Sequence, residues 1–312
     1  MESSRAARRH RARPASRRRP VLLAVLAVVV TACGAAYVKT HDDARASPVS
    51  SAPAATSSPA AHTQEEPVPE PEVDLTALLK TAMDAVDVPG DAAVSVGVLD
   101  PASGDSAVYG EAAFDTASVV KVDILAALLL QAQDAGRTLT AQEKAYAALM
   151  IENSDNDSAT ALWNTIGQAE GLDAANERFG MTSTEGGEGA LWGLTQTTAA
   201  DQLALLQQVF GEDSKLSEAS REYVRKLMSQ IEADQRWGVS AAAQGTQWAL
   251  KNGWLPRSTT GLWDVNSIGR VTAGDGSYLI AVLSDGNASM AAGVTLVEDT
   301  ARAAVGVFTD GS

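Results

Sequence analysis

Ser118-Val119-Val120-Lys121 sets a hydroxyl nucleophile three residues ahead of an amine, where the Ala- and Leu-rich segment 118–135 begins. Its apolar spacing predicts a helix. Residues i and i+3 share a helix face, so the amine reaches the hydroxyl, and the helix N-terminus favours a developing alkoxide. The chemistry implied is a serine nucleophile activated by a lysine base. Two more triplets carry polar chemistry: Ser154-Asp155-Asn156 between two predicted helices, and Lys251-Asn252-Gly253 at the end of a predicted strand, just before Trp254. Each has a structural reading of its own. A serine at a helix start is commonly a cap, and Ser-Asp-Asn is ordinary turn chemistry.

The three histidines, His10, His41 and His62, all precede position 74, where the globular composition begins. A Ser-His-Asp triad, a Cys-His pair and a His-rich zinc site are thereby excluded from the domain. The single Cys33 cannot form an internal disulfide or supply a Cys-rich metal cluster. Lysine is left as the base, and no metal or cofactor is called for.

Taken together, the order S-x-x-K, S-D-N and a K-[T/S]-G-like triplet resembles the class A β-lactamase and penicillin-binding-protein superfamily of active-site-serine hydrolases. The resemblance implies that Ser118 attacks a carbonyl, Lys121 takes its proton, and Ser154 relays a proton to the departing nitrogen. Asn156 would hold the substrate's side-chain amide. Lys251 would line the cleft, orienting Ser154 and attracting a substrate carboxylate, with Asn252, Gly253 and Trp254 completing the binding strand. Backbone N–H groups of Ser118 and Trp254 would form an oxyanion hole. Asn252 stands where the family usually has Thr or Ser. Glu188-Gly189-Ala190-Leu191 resembles part of the family's E-x-x-L-N pattern, with Trp192 at the asparagine, which nominates Glu188 for deacylation. Two ammonium groups converging on one cleft lower each other's proton affinity, which helps Lys121 act as a neutral base.

The elements needed to bring these residues together can be read from the rest of the chain. Leu75 to Val86 has helical spacing and is followed by Pro89-Gly90. Ala92 to Leu99 and Ser106 to Tyr109 form a hairpin pattern around Asp100–Gly104. Six helical segments follow: 118–135, 141–152, 157–166, 171–179, 198–210 and 217–230. Strand composition returns at Gln247 to Lys251, Asp264 to Val271 and Tyr278 to Ser284, and 290–307 closes with a helix. This predicts an α+β fold, a five-stranded antiparallel sheet flanked by helices plus a mostly helical subdomain, with the substrate cleft between the two parts. Of the six tryptophans, Trp254 and Trp192 fall beside that cleft. Arg257 and Arg270 are further cations near the late strands.

Residues 1–38 hold a basic start and an uncharged stretch from Val21 to Val38, the pattern of an export signal or a membrane anchor. Val30-Thr31-Ala32-Cys33 looks like a lipobox, making Cys33 a lipidation site. Residues 39–73 are rich in Pro, Ser, Ala and Glu and read as a spacer. The catalytic domain is placed at 74–312, on the outer face of the membrane or secreted. Removing residues 1–32 takes away eight arginines and one glutamate, leaving 16 basic against 38 acidic residues. Such a balance argues against a nucleic-acid partner. The expected partners are a β-lactam or peptidoglycan-like small substrate and the membrane, through a lipid or a single span, with the domain a monomer. The alternatives are a D-alanyl-D-alanine peptidase or esterase with slow β-lactam turnover, and a non-catalytic cell-envelope binding lipoprotein.

Overall fold

A computed structural model describes residues 73–309. The export, lipobox and spacer segments lie outside the described residues. No helix among the described residues is long and apolar enough to cross a membrane.

The strands are β1 (Ala93–Leu99), β2 (Ser106–Tyr109), β3 (Phe114–Asp115), β4 (Gln196–Thr197), β5 (Trp248–Pro256), β6 (Trp263–Ala273) and β7 (Gly276–Asn287). The helices are α1 (Leu75–Met83), α2 (Val120–Asp134), α3 (Ala141–Glu152), α4 (Asn156–Ile166), α5 (Gln168–Phe179), α6 (Ala199–Phe210), α7 (Glu218–Met228) and α8 (Met290–Thr309). Five strands form an antiparallel sheet in the order β2-β1-β7-β6-β5, as expected. The first strands of the domain therefore pair with the last. One face of the sheet packs on α1 and α8 through Leu79, Val96, Val98, Val282, Val297 and Ala301. The other carries the helical part, centred on α2.

The short β3–β4 pair went unread in the sequence, since two-residue strands show no periodicity. It matters because it ties the chain just before Ser118 to the end of loop 182–196: Phe114 pairs with Thr197 and Asp115 with Gln196. Thr116 N–H adds a bond to Thr195 O at 2.9 Å.

Helix α2 is buried on every face from Val120 to Leu130, which marks a core helix rather than a surface one. Asp123 sits within it, 1% exposed. Neither of its oxygens, nor either polar atom of the nearby Asn176 amide, completes a hydrogen bond of good geometry. Burial therefore dominates, pushing the Asp123 carboxyl up to about 8; Asn176 opposes the shift, while Asp173 and Asp201 add to it. The folded state thus keeps a proton that the unfolded chain releases near the ordinary carboxylate pKa. Stability attributable to Asp123 is lost as pH rises, by about 1.4 kcal/mol per pH unit between about pH 5 and 8. Urea unfolding across that range is expected to show the slope in the native protein and to lose it in Asp123→Asn; parallel pH dependences in the two proteins would refute the assignment.

Candidate active site

Ser118 lies in a 3-10 turn, Ala117–Val119, that feeds α2 rather than in the helix itself. Ala117 holds φ +47°, a left-handed conformation that a residue with a Cβ adopts at a cost. Asn266 of β6 secures the approach to this turn. Its Nδ2 donates to Asp115 O at 2.8 Å and to Thr116 O at 3.0 Å, while its Oδ1 accepts from Ser284 N–H at 2.9 Å. Asn266 was not singled out from sequence; it sits inside the strand-like segment Asp264 to Val271 among other polar residues.

Gly253 of β5 runs directly beside the turn. A Cβ at this position would lie 2.7 Å from Ser118 N, 2.8 Å from Thr116 O and 2.9 Å from Val119 N. The absence of a side chain is what lets the strand and the Ser118 backbone N–H stand this close.

The second triplet divides its labour. Asp155 is the N-cap of α4, its side chain accepting from Ser158 N–H at 2.7 Å, so the structural reading holds for this residue. Ser154, at φ +56°, and Asn156 turn toward Lys121. Lys121 is fully buried, and its Nζ donates to Ser154 O (2.7 Å), Ser154 Oγ (3.1 Å) and Asn156 Oδ1 (2.8 Å). Lys251, also fully buried, donates to the same Ser154 Oγ at 3.0 Å and to Asn252 O at 2.8 Å. The two lysines thus occupy both lone pairs of the Ser154 hydroxyl, and its own O–H is left to donate elsewhere.

Burial lowers Lys121 to about 7, Asp155 opposing the shift. Lys251 is lowered well below its ordinary value by burial and then by the charge of Lys121. An amine that is neutral for a useful fraction of the time near pH 7 is suited to accept a serine proton.

Ser118 and Asn156 line a cleft of about 610 Å³ together with Thr160, Trp192, Trp254 and Arg257, among others. Trp192 and Trp254 are where the sequence put them. Trp254 is also packed against Trp237, ring centroids 6.0 Å apart. Thr160 was not anticipated.

Two expected contributors, Asn252 and Glu188, stand elsewhere. Asn252 is 1% exposed and points away from the cleft: its Nδ2 donates to Gln235 O and Trp237 O, and its Oδ1 accepts from Ser267 Oγ at 2.6 Å. Its amide is fully used in the interior and has nothing to offer a substrate carboxylate. Glu188 is exposed on its loop and does not line the cleft. Arg257 lines it, but its Nη1 donates to Asp115 and, at 3.4 Å, to Asp264. Arg270 instead lies over Phe210 at 5.0 Å. No Asp or Glu lines the cleft among the described residues.

The sequence model of the Beta-lactamase enzyme family matches residues 134–308. That span includes Ser154, Asn156, Lys251 and Gly253 and begins beyond Ser118 and Lys121, whose pairing with the others rests on the geometry above. No curated protein matches the chain. Among solved structures, a PBP-A variant in acyl-enzyme complex with penicillin G superposes with a TM-score of 0.64 at 22% identity, over 76% of this chain and 97% of that one. The TLA-1 extended-spectrum β-lactamase gives 0.65 at 13% identity, over 75% and 98%. A class A β-lactamase representative from Bacteroides cellulosilyticus gives 0.62 at 14%, over 76% and 97%. Identities this low show a shared fold.

Proposed function

Because the chain belongs to the Beta-lactamase enzyme family, we propose that it is an active-site serine hydrolase in which Ser118 forms an acyl-enzyme on β-lactams and related amides. The observation that carries this reading is the convergence of Lys121 and Lys251 on Ser154 Oγ, with Ser118 and Asn156 lining one cleft. Lys121 removes the Ser118 proton as the hydroxyl attacks the carbonyl, and the oxyanion is received by the backbone N–H groups of Ser118 and Trp254. Ser154, both lone pairs already engaged, passes its proton to the departing nitrogen and is reprotonated from Lys121. Asn156 accepts Lys121 through Oδ1, leaving Nδ2 to hold a carbonyl on the substrate side chain.

The cleft without a carboxylate favours slow release. A β-lactam acyl group then persists on Ser118, as expected of a peptidase-like or esterase-like enzyme, since no acidic side chain stands by to activate water. The basic, uncharged and small-residue pattern of residues 1–38 supports placing this activity outside the cytoplasm, held through Cys33 or a single span.

Intact-mass measurement of the protein with a penicillin, with Ser118→Ala as control, tests the reading. A Ser118-dependent adduct supports it. No adduct at high penicillin, with turnover of an ester, moves the assignment to an esterase; no reaction with either moves it to a binding protein. Since the base must be neutral, the acylation rate is expected to climb about tenfold per pH unit on the acid side and to level off above about pH 8, with Lys121 at about 7. A rate flat from about pH 5 to 9 would remove Lys121 from the role.

A further inference from the structure

The loop side of the cleft presents an indole, that of Trp192. The Trp192 ring lies over Lys121, with Nζ 4.9 Å from its centroid. Its Nε1 donates to Thr160 Oγ1 of α4 at 3.1 Å, which fixes the plane of the ring. The backbone beneath it is fixed as well: Trp192 opens a 3-10 turn, Trp192–Leu194, and Thr195 O on the far side of that turn accepts from Thr116 N–H, two residues before Ser118. The indole therefore moves with the nucleophile's own segment.

Lys121 Nζ has three acceptors within hydrogen-bond reach, Ser154 O, Ser154 Oγ and Asn156 Oδ1. The ring covers a further side of the amine. We propose that Trp192 is a positioning residue that roofs Lys121, keeping the amine dry and aimed at Ser154 and closing the loop side of the cleft to the water that would release an acyl group from Ser118. The release part of this rests on the acyl-enzyme reading above; the roofing part does not.

Two influences of the ring on Lys121 have opposite signs. A π face favours the ammonium form, whereas covering the amine disfavours it. Burial is the largest influence on Lys121, so removing the indole is expected to raise its proton affinity. The other charged groups facing the amine are Lys251 of β5 and Asp155 ahead of α4, and both are retained in the variants below.

The test uses the full chain carrying Trp192→Ala, Trp192→Phe or Thr160→Val. Heteronuclear NMR of labelled lysines reads the Lys121 titration directly, and intact mass follows decay of the penicillin adduct. In Trp192→Ala the Lys121 titration is expected to move up by about one pH unit, a tenfold rise in proton affinity. The adduct is expected to decay at least about tenfold faster, water reaching the ester once the approach is open. Trp192→Phe and Thr160→Val each keep an aromatic ring but lose its hydrogen bond to residue 160, so both are expected to fall between the native protein and Trp192→Ala. A Trp192→Ala titration that overlays the native curve overturns the roof, and an unchanged adduct lifetime overturns the exclusion of water. Absence of any adduct in the native protein instead defeats the acyl-enzyme reading, and the titration still decides whether the roof exists.

Discussion

Replacing Lys121 by methionine is expected to slow acylation of Ser118 by about 10³- to 10⁴-fold, the upper range for loss of a positioned general base. No other side chain is placed to substitute. The domain contains no histidine, and Lys251 is spent on Ser154 Oγ and Asn252 O. Methionine has nearly the length of lysine and fills the same fully buried space. It strips a donor from Ser154 O, Ser154 Oγ and Asn156 Oδ1, at a cost of about 1–3 kcal/mol for acceptors left unpaired. It also relieves the burial of an amine, and the two effects offset, so the melting temperature is expected to move little. Rapid-quench intact-mass kinetics with a penicillin, alongside a thermal melt, separates the outcomes. A variant that is folded and acylates at the native rate would show that Ser118 is activated by some other route.

Gly253→Ala should be nearly as damaging to acylation although it removes no functional group. The new methyl would stand 2.7 Å from Ser118 N and 2.9 Å from Val119 N, and Thr116 O is a further backbone obstacle at 2.8 Å. Backbone cannot rotate out of the way as a flexible side chain can, so the strand and the turn must separate. Ser118 N–H is one of the two donors assigned to the oxyanion, and loss of one such donor costs about 10²- to 10³-fold. Crowding a packed site adds about 1–3 kcal/mol of destabilisation. Acylation kinetics at a temperature where circular dichroism shows the variant folded isolates the catalytic loss. Native acylation by folded Gly253→Ala would mean that the turn is not where the oxyanion is held.

The layout of the domain was legible in the sequence because its elements are long and periodic. The hairpin, the six helices, the three late strands and the closing helix all appear, with boundaries shifted by a few residues. The site was legible through residue types at Ser118, Lys121, Ser154, Asn156, Lys251 and Gly253, which the fold brings together. What escaped was backbone conformation and side-chain direction. Nothing in Ala117 or Ser154 announces a positive φ, because neither is glycine, so Ser118 was assigned to the helix instead of the turn before it. The direction of Asn252 was available in principle. Side chains alternate along a strand, so if Lys251 reaches Ser154, its neighbour faces the opposite side of β5, and there Asn252 is buried against Gln235, Trp237 and Ser267. Glu188 shows the limit of a short pattern, which carries no information about which way a Gly-rich loop presents its acid; the structure leaves it exposed, as a solvated loop acid would be.

The pairing of β1 with β7 sets a timetable for the protein's synthesis. Ser118 and Lys121 emerge from the ribosome early, but the strand that carries Lys251 and Gly253 and the strand that carries Asn266 follow more than a hundred residues later. The first hairpin gains its neighbour in the sheet only when β7 has been made. Contacts between such distant parts of a chain form slowly and late. A growing chain therefore holds every atom of Ser118 and Lys121 while lacking the strands against which they are placed, and the candidate site assembles only once the chain is almost entirely free to close on itself.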